Sequence, residues 1–514
     1  MQVSVAKNTA TNYLVMLVRF FQGILVTRYL IGYLGDAGYG FWMLLWSFFV
    51  YAILVDFGFG ISAQKFTSLE LFKRDIRHYN SIISMVFTFQ TLMALVLVLC
   101  VFIASFFLPE LLNVTDPGKL AYYRKCFLVF SIGSSLIFPL CLFSEIMVGL
   151  HKIYLKNYID AATRLLELVG FLVILKLGGG LLGIIVFAIL IMGAERCFTG
   201  FYAFRSIPGF RLRFHLFDRK VFREVFSFSS GTYFMSMAGL LRVQMRNPII
   251  SKYCGLDAVG IFGISTRLSD LCGQAIGQYN SNVRPVTAQL FHRGRFRMLR
   301  TFIVKSMQWN MFMCCLIIIP AILLRDEAIV ALFKVEVTPL IHNLSLLNLI
   351  AKAMWLATAQ TPVSVLLMCE KHHLQACVSM IEACSVVLLN ILFLRSGFGI
   401  TSVAVIMIIT TFVMFAVIDY PVMVKLTHSN FLGDLWSIYF PCFLASIPGI
   451  VILLVCKKLL AGCVNDFLLC ALCGTSYAVV YLAMAWKFLI GRSKKELWKR
   501  RVMLQVRKRF PKKS

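Results

Sequence analysis

Tyr33-Leu34-Gly35-Asp36-Ala37-Gly38-Tyr39-Gly40 returns further along the chain as Tyr253-Cys254-Gly255-Leu256-Asp257-Ala258-Val259-Gly260, with Tyr, Gly and Gly matching at one constant offset. Each copy is a glycine-bearing interruption between two long apolar runs, where a chain turns most easily. Near the end of the second run of each pair, Gly58 and Lys65 are matched by Gly277 and Arg284, the offset having slipped by one residue. Such repetition predicts two halves built on one plan.

Working outward from these turns, the apolar runs predict about fourteen spanning helices, each near the ~20 residues a bilayer requires. They lie near 8–31, 38–63, 79–108, 123–149, 157–177, 180–204, 224–250, 258–280, 300–324, 340–369, 375–394, 400–424, 436–457 and 467–490. The repeated turns join helices 1 and 2 of one half and helices 7 and 8 of the other. Six helices separate the copies, so the halves share one orientation, related by an axis along the membrane normal. The expectation is an all-α polytopic membrane protein with two six-helix lobes, 1–204 and 224–424, around a central cavity. A cytoplasmic loop at 205–223 joins the lobes, helices 13 and 14 (425–490) are an addition, and 491–514 is a basic cytoplasmic tail.

Composition agrees with this. The 514 residues are 60% hydrophobic and only 14% charged, with a mean hydropathy of +0.82, whereas soluble chains are about a quarter charged. The net charge of +28 comes from 51 Lys and Arg against 23 Asp and Glu. In a soluble protein that balance would point to nucleic acid. Here the basic residues gather in alternate short connections, as positive-inside topology requires. They include Lys65, Lys73, Arg74 and Arg77, then Lys152 and Lys156, then Arg205, Arg211, Arg213, Arg219, Lys220 and Arg223, then Arg284, Arg293, Arg295, Arg297 and Arg300. The opposite connections are poorer, with Lys119, Arg124 and Lys125 the main exception. Both termini are therefore expected in the cytoplasm, with no nucleic-acid partner. The run from Tyr13 to Ile31 lacks a cleavage signature and reads as a retained first span. The tail mixes Leu497, Trp498, Val502, Met503, Val506 and Phe510 with basic residues. It reads either as a helix on anionic lipid headgroups or as a solvated tail that fixes topology.

The chemistry is expected in arginines deep inside apolar runs, because a charge there costs at least ~2.5 kcal/mol and faces a cavity or a partner. Arg19 and Arg28 lie on helix 1, Arg242 and Arg246 one turn apart on its counterpart helix 7, and Arg267 on helix 8. Several guanidinium groups facing one cavity would hold a diphosphate, since the planar fork binds phosphate bidentately and does not titrate. Asp56, late in helix 2, is the candidate for H+ or Na+ coupling, or else for pairing with an arginine. Asp270 reads as neutralising Arg267. Asp160, Arg164 and Glu167 form a self-satisfied ladder, while Glu382 and Asp419 stand alone. The sixteen cysteines show no paired metal spacing, so no metal, cofactor or disulfide framework is expected. P-loop, nucleophile-elbow and H-E-x-x-H motifs are missing from the sequence, which speaks against an enzyme.

Arg19…Thr27-Arg28-Tyr29-Leu30…Gly35…Gly38-Tyr39-Gly40, leading to Leu54-Val55-Asp56-Phe57-Gly58-Phe59-Gly60, resembles the polysaccharide-biosynthesis transporters of the MOP exporter superfamily, the Wzx-like lipid-linked oligosaccharide and O-antigen flippases. The resemblance implies alternating access at the inner membrane, moving an undecaprenyl-diphosphate-linked sugar to the periplasmic leaflet alongside polysaccharide polymerase machinery. By position it assigns Arg19 and Arg28 to the first-helix basic sites and Asp56 to the second-helix acid. Fourteen helices also fit the lipid II flippases. A cation-coupled multidrug exporter of the same superfamily would favour acids over arginines, and a membrane glycosyltransferase or polymerase would need a larger outer loop.

Overall fold

A computed structural model describes residues 2–73, 75–213, 222–223, 225, 233, 237–277, 279, 283–369, 372–427 and 431–488. The basic tail expected at 491–514 and the start of the seventh span lie outside the described residues. The described helices run in chain order as α1 (Gln2–Val55), α2 (Phe59–Lys73), α3 (Ile76–Ala104), α4 (Leu108–Leu112), α5 (Pro117–Ile137), α6 (Leu142–Gly149), α7 (Ile153–Lys176) and α8 (Gly180–Ser206). A helical stretch at 237–244 then precedes α9 (Arg246–Cys254), α10 (Leu256–Gly277), α11 (Val283–His292), α12 (Phe296–Leu323), α13 (Arg325–Phe333), α14 (Pro339–Met354) and α15 (Gln360–Met368). The order closes with α16 (His372–Arg395), α17 (Thr401–Met414), α18 (Tyr420–Thr427), α19 (Phe431–Leu460) and α20 (Asp466–Phe488). No strand occurs among the described residues, and ten of their helices are long and apolar enough to cross a bilayer. The chain is a multi-pass membrane protein.

The turn that organised the sequence is a break in the backbone. A straight helix of 54 residues would be about 80 Å long, far beyond any bilayer. It breaks at Gly35, with φ 68° and ψ −178°. Gly255, its equivalent between α9 and α10, has φ 87° and ψ 174°. Positive φ with extended ψ is essentially reserved for glycine, so the repeated Gly is a repeated conformation.

The second expected span, 38–63, is interrupted where sequence suggested continuity. Residues 56–58 form a turn in which Phe57 (φ 49°) and Gly58 (φ 78°) are left-handed. Asp56 caps the helix that follows: its carbonyl accepts from Phe59 N–H at 3.0 Å and its carboxylate from Gly60 N–H at 2.9 Å. The tenth and twelfth spans each carry a π-turn, Trp355–Ala359 and Phe415–Asp419. Asp419 is buried in the second of them.

The chain folds as two compact units. The first comprises Met1–Arg267, Leu332–Leu344 and His372–Thr410. One of its cores gathers Phe59, Tyr79, Ile82, Leu142, Ile146 and Ala203 from α2, α3, α6 and α8. Another joins Ile250, Val259, Phe262, Leu344 and Val403. In this unit the two repeated turns touch with no side chain between them: a Cβ at Gly40 would overlap the Leu256 carbonyl, and one at Gly260 the Asp36 carbonyl.

The second unit comprises Leu268–Ala331, Ser345–Lys371 and Thr411–Ser514. Here α19 and α20 pack on α12. Tyr477 Oη donates to the Cys315 carbonyl at 2.7 Å and Tyr481 Oη to the Phe312 carbonyl at 3.2 Å. Arg300 forks onto Asp434 at 3.0 and 3.3 Å, and Lys457 pairs with Glu327 at 2.7 Å.

Candidate functional site

The expected arginines fall into two groups. Arg19 on α1 reaches across to α7, with Nη2 2.6 Å from Asp160 Oδ2. Arg164, one turn along α7, takes the other oxygen of that carboxylate at 2.7 Å. Gln22 on α1 completes the set, accepting from Arg164 at 3.1 Å and donating to Glu167 at 2.6 Å. The Asp160–Arg164–Glu167 ladder is therefore shared between two helices rather than self-satisfied, because Glu167 turns to Gln22 and Asp160 is divided between two arginines.

Arg242 repeats this arrangement in the second half. Its Nη1 lies 2.8 Å from Glu382 Oε1 on α16, and the side chains are 14% and 9% exposed. Glu382, which stands alone in sequence, is thus one half of a buried ion pair. The partners are 141 residues apart in the first pair and 140 in the second. The repeat extends from the turn to the ion pair: a guanidinium on the first helix of each half meets an acid on the fifth.

Neutral groups are among the contacts of the remaining arginines. Arg267 Nε donates to the buried Tyr39 hydroxyl at 3.1 Å, and Arg246 Nε donates to the Val243 carbonyl at 3.0 Å. Arg246 also lies over the Phe262 ring at 5.6 Å, in the core against which Met43, 3.8 Å from Arg267 Nη2, packs. Arg28 stacks loosely on Tyr29 at 5.9 Å. Asp270, expected to neutralise Arg267, instead takes Lys352 at 2.9 Å: a lysine on a packed neighbouring helix outcompetes a residue on its own.

Asp56 sits at the helix break. Gln90 Nε2 donates to its Oδ1 at 2.6 Å, and Glu145 lies close by. Sequence reading missed Gln90, Glu145 and the neighbouring Arg196, which donates to Ser144 Oγ at 2.5 Å. The available signal was a polar or charged residue inside each of three apolar runs. The sixteen cysteines are free, and no trio of His, Cys, Asp or Glu is grouped to hold a metal among the described residues.

No protein-family model matches the sequence, and no curated protein matches it. Solved structures do match it by shape. The lipid II flippase MurJ, in an inward closed conformation, aligns with a TM-score of 0.71 at 14% identity, over 94% of this chain and 99% of that one. An inward-facing MATE-family multidrug resistance transporter of the MOP superfamily aligns at 0.67 and 13%, over 80% and 95%. A MOP-superfamily transporter from Pyrococcus furiosus, described by the reverse polarity of its binding pocket, aligns at 0.57 and 13%, over 83% and 95%. The MurJ alignment covers 94% of this chain, which leaves too few residues outside it to omit both α19 and α20. The chain has the all-helical fold of the MATE-like MOP-superfamily transporters.

Proposed function

We propose that this chain is a flippase that carries an undecaprenyl-diphosphate-linked oligosaccharide from the cytoplasmic to the periplasmic leaflet of the inner membrane by alternating access. The observation that carries the reading is the set of guanidinium groups inside the helices that open each repeat. Arg19 lies mid-helix yet its side chain is 51% exposed, and a charge at that depth belongs in water rather than lipid. Arg28, Arg246 and Arg267 grip the diphosphate. Arg19 and Arg242, each braced by an acid, add positive field. Asp56 takes the coupling ion, H+ or Na+. Both termini are cytoplasmic, the tail rests on anionic lipid, and polysaccharide polymerase machinery receives the product.

The test is reconstitution into vesicles with the lipid-diphosphate sugar loaded in one leaflet. Sugar should reach the opposite leaflet only with the protein present, and Arg28→Ala and Arg267→Ala should suppress it. Failure of the wild type with every such lipid sinks the reading. Reporter fusions after Lys73, Arg213 and Arg295 should read cytoplasm, and those near Asp257 and Lys334 outside; a consistent inversion overturns the orientation.

Two other cargoes share the assay. A lipid II-type substrate is favoured by the length of the MurJ alignment, and a drug cation by the likeness to a multidrug resistance MATE transporter. Lipid II and a cationic dye offered in parallel separate them.

A further inference from the structure

The broken second span gathers oxygen atoms in a way a helix cap does not require. A Cβ placed on Gly60 would stand 3.2 Å from Asp56 Oδ2 and 3.4 Å from Glu145 Cγ, so two carboxylate side chains converge on one point. Gln90, only 2% exposed, spends its amide nitrogen on Asp56. Its Oε1 is buried and has no hydrogen-bond partner among the described residues. Amide geometry keeps that oxygen within about 5 Å of Asp56 Oδ1. A buried amide oxygen without a donor is costly, and beside two carboxylates it is a ligand in waiting.

The charge balance points the same way. Asp56, Glu145, Glu195 and Arg196 all act electrostatically on Cys141, and Lys156, Asp56 and Arg196 act on Glu145. Arg196 is already engaged by Glu195 at 3.4 Å and by Ser144. Three acids stand against two cations, Arg196 and Lys156, in a part of the chain where uncompensated charge is expensive. An all-oxygen donor set selects a hard cation, and a broken spanning helix is where such ions are held, because its turn frees backbone oxygens.

We infer that Asp56, Gln90 Oε1 and Glu145 form a sodium site at the break in the second span. The inference rests on the transporter reading and names its coupling ion. It assigns Gln90 and Glu145 as ligands, with Lys156 and Arg196 offsetting part of the acids' charge.

Full-length protein in detergent, without lipid substrate, provides the test. Its melting temperature is followed as NaCl replaces choline chloride at constant ionic strength, with KCl in parallel. Sodium should raise the wild-type Tm saturably, as ligand binding to the folded state does, and potassium should do so less. Gln90→Leu and Glu145→Gln should weaken the apparent sodium affinity about tenfold or more, and Asp56→Asn should abolish the response. If Asp56→Asn fails to fold for want of its cap, Gln90→Leu decides. A wild type stabilised equally by all three salts overturns the site, as does unchanged sodium affinity in Gln90→Leu. Because no cargo is present, sodium binding without flipping would count against the cargo alone, and flipping without sodium binding against this site alone.

Discussion

Arg19–Asp160 and Arg242–Glu382 occupy equivalent places in the two repeats, yet their surroundings differ sharply. Asp160 is shared with Arg164, so removing Arg19 leaves the acid neutralised. Glu382 and Arg242 are both nearly buried, so removing either breaks an ion pair that water screens little. Arg19 is half exposed, where an ion pair contributes little. The same kind of pair is thus a structural clamp in the second half and an open, redundant contact in the first. Equivalent position does not mean equivalent work: the exposed member is open to its surroundings, and the buried member holds two helices together.

The largest effect tests the clamp. Glu382→Ala should cost about 3–5 kcal/mol by breaking a nearly buried ion pair, seen as low membrane abundance and a depressed Tm. Exchanging the pair, Arg242→Glu with Glu382→Arg, should recover part of the loss. Full abundance of Glu382→Ala would erase the difference between the repeats.

Next comes the group proposed to meet cargo. At normal abundance, transport by Arg267 variants should fall in the order Arg, Lys, Ala, Glu, because lysine keeps charge but loses the fork. Loss of one charged hydrogen bond, about 1.5–3 kcal/mol, corresponds to one or two decades in rate. Normal export from Arg28→Ala and Arg267→Ala would remove the diphosphate site from these residues.

A third comparison concerns the turns. Gly40→Ala and Gly260→Ala should each cost about 1–3 kcal/mol by overpacking, and by similar amounts, since each meets the other turn's backbone carbonyl. A large effect at one and none at the other in thermal unfolding would show the contact to be one-sided. The smallest effect belongs to Arg19→Ala, about 0.2–1 kcal/mol in stability. Export should fall further than stability does, and parallel losses in the two would make Arg19 structural after all.

What the sequence made legible follows from what leaves a local trace. Gly35 and Gly255 were readable because only glycine fits their backbone, and the deep arginines because they interrupt apolar runs. Their partners were not readable. Glu382 lies 140 residues from Arg242, and Asp160 was already explained by Arg164 one turn away, so nothing local hinted at Arg19. The break at Asp56 hid inside an unbroken apolar stretch, though Asp followed by Phe57-Gly58-Phe59-Gly60 carries a capping residue and two glycines. The π-turns at Trp355–Ala359 and Phe415–Asp419 left no pattern at all.

The bare meeting of Gly40 and Gly260 has a kinetic consequence. Two helices that interlock through side chains must change rotamers before they separate, and each change adds to the barrier. Backbone laid on backbone has no such latch. The two glycines can part and rejoin without a rotamer change, so any latch between these turns lies beside them, in the hydrogen bond from Arg267 to the Tyr39 hydroxyl.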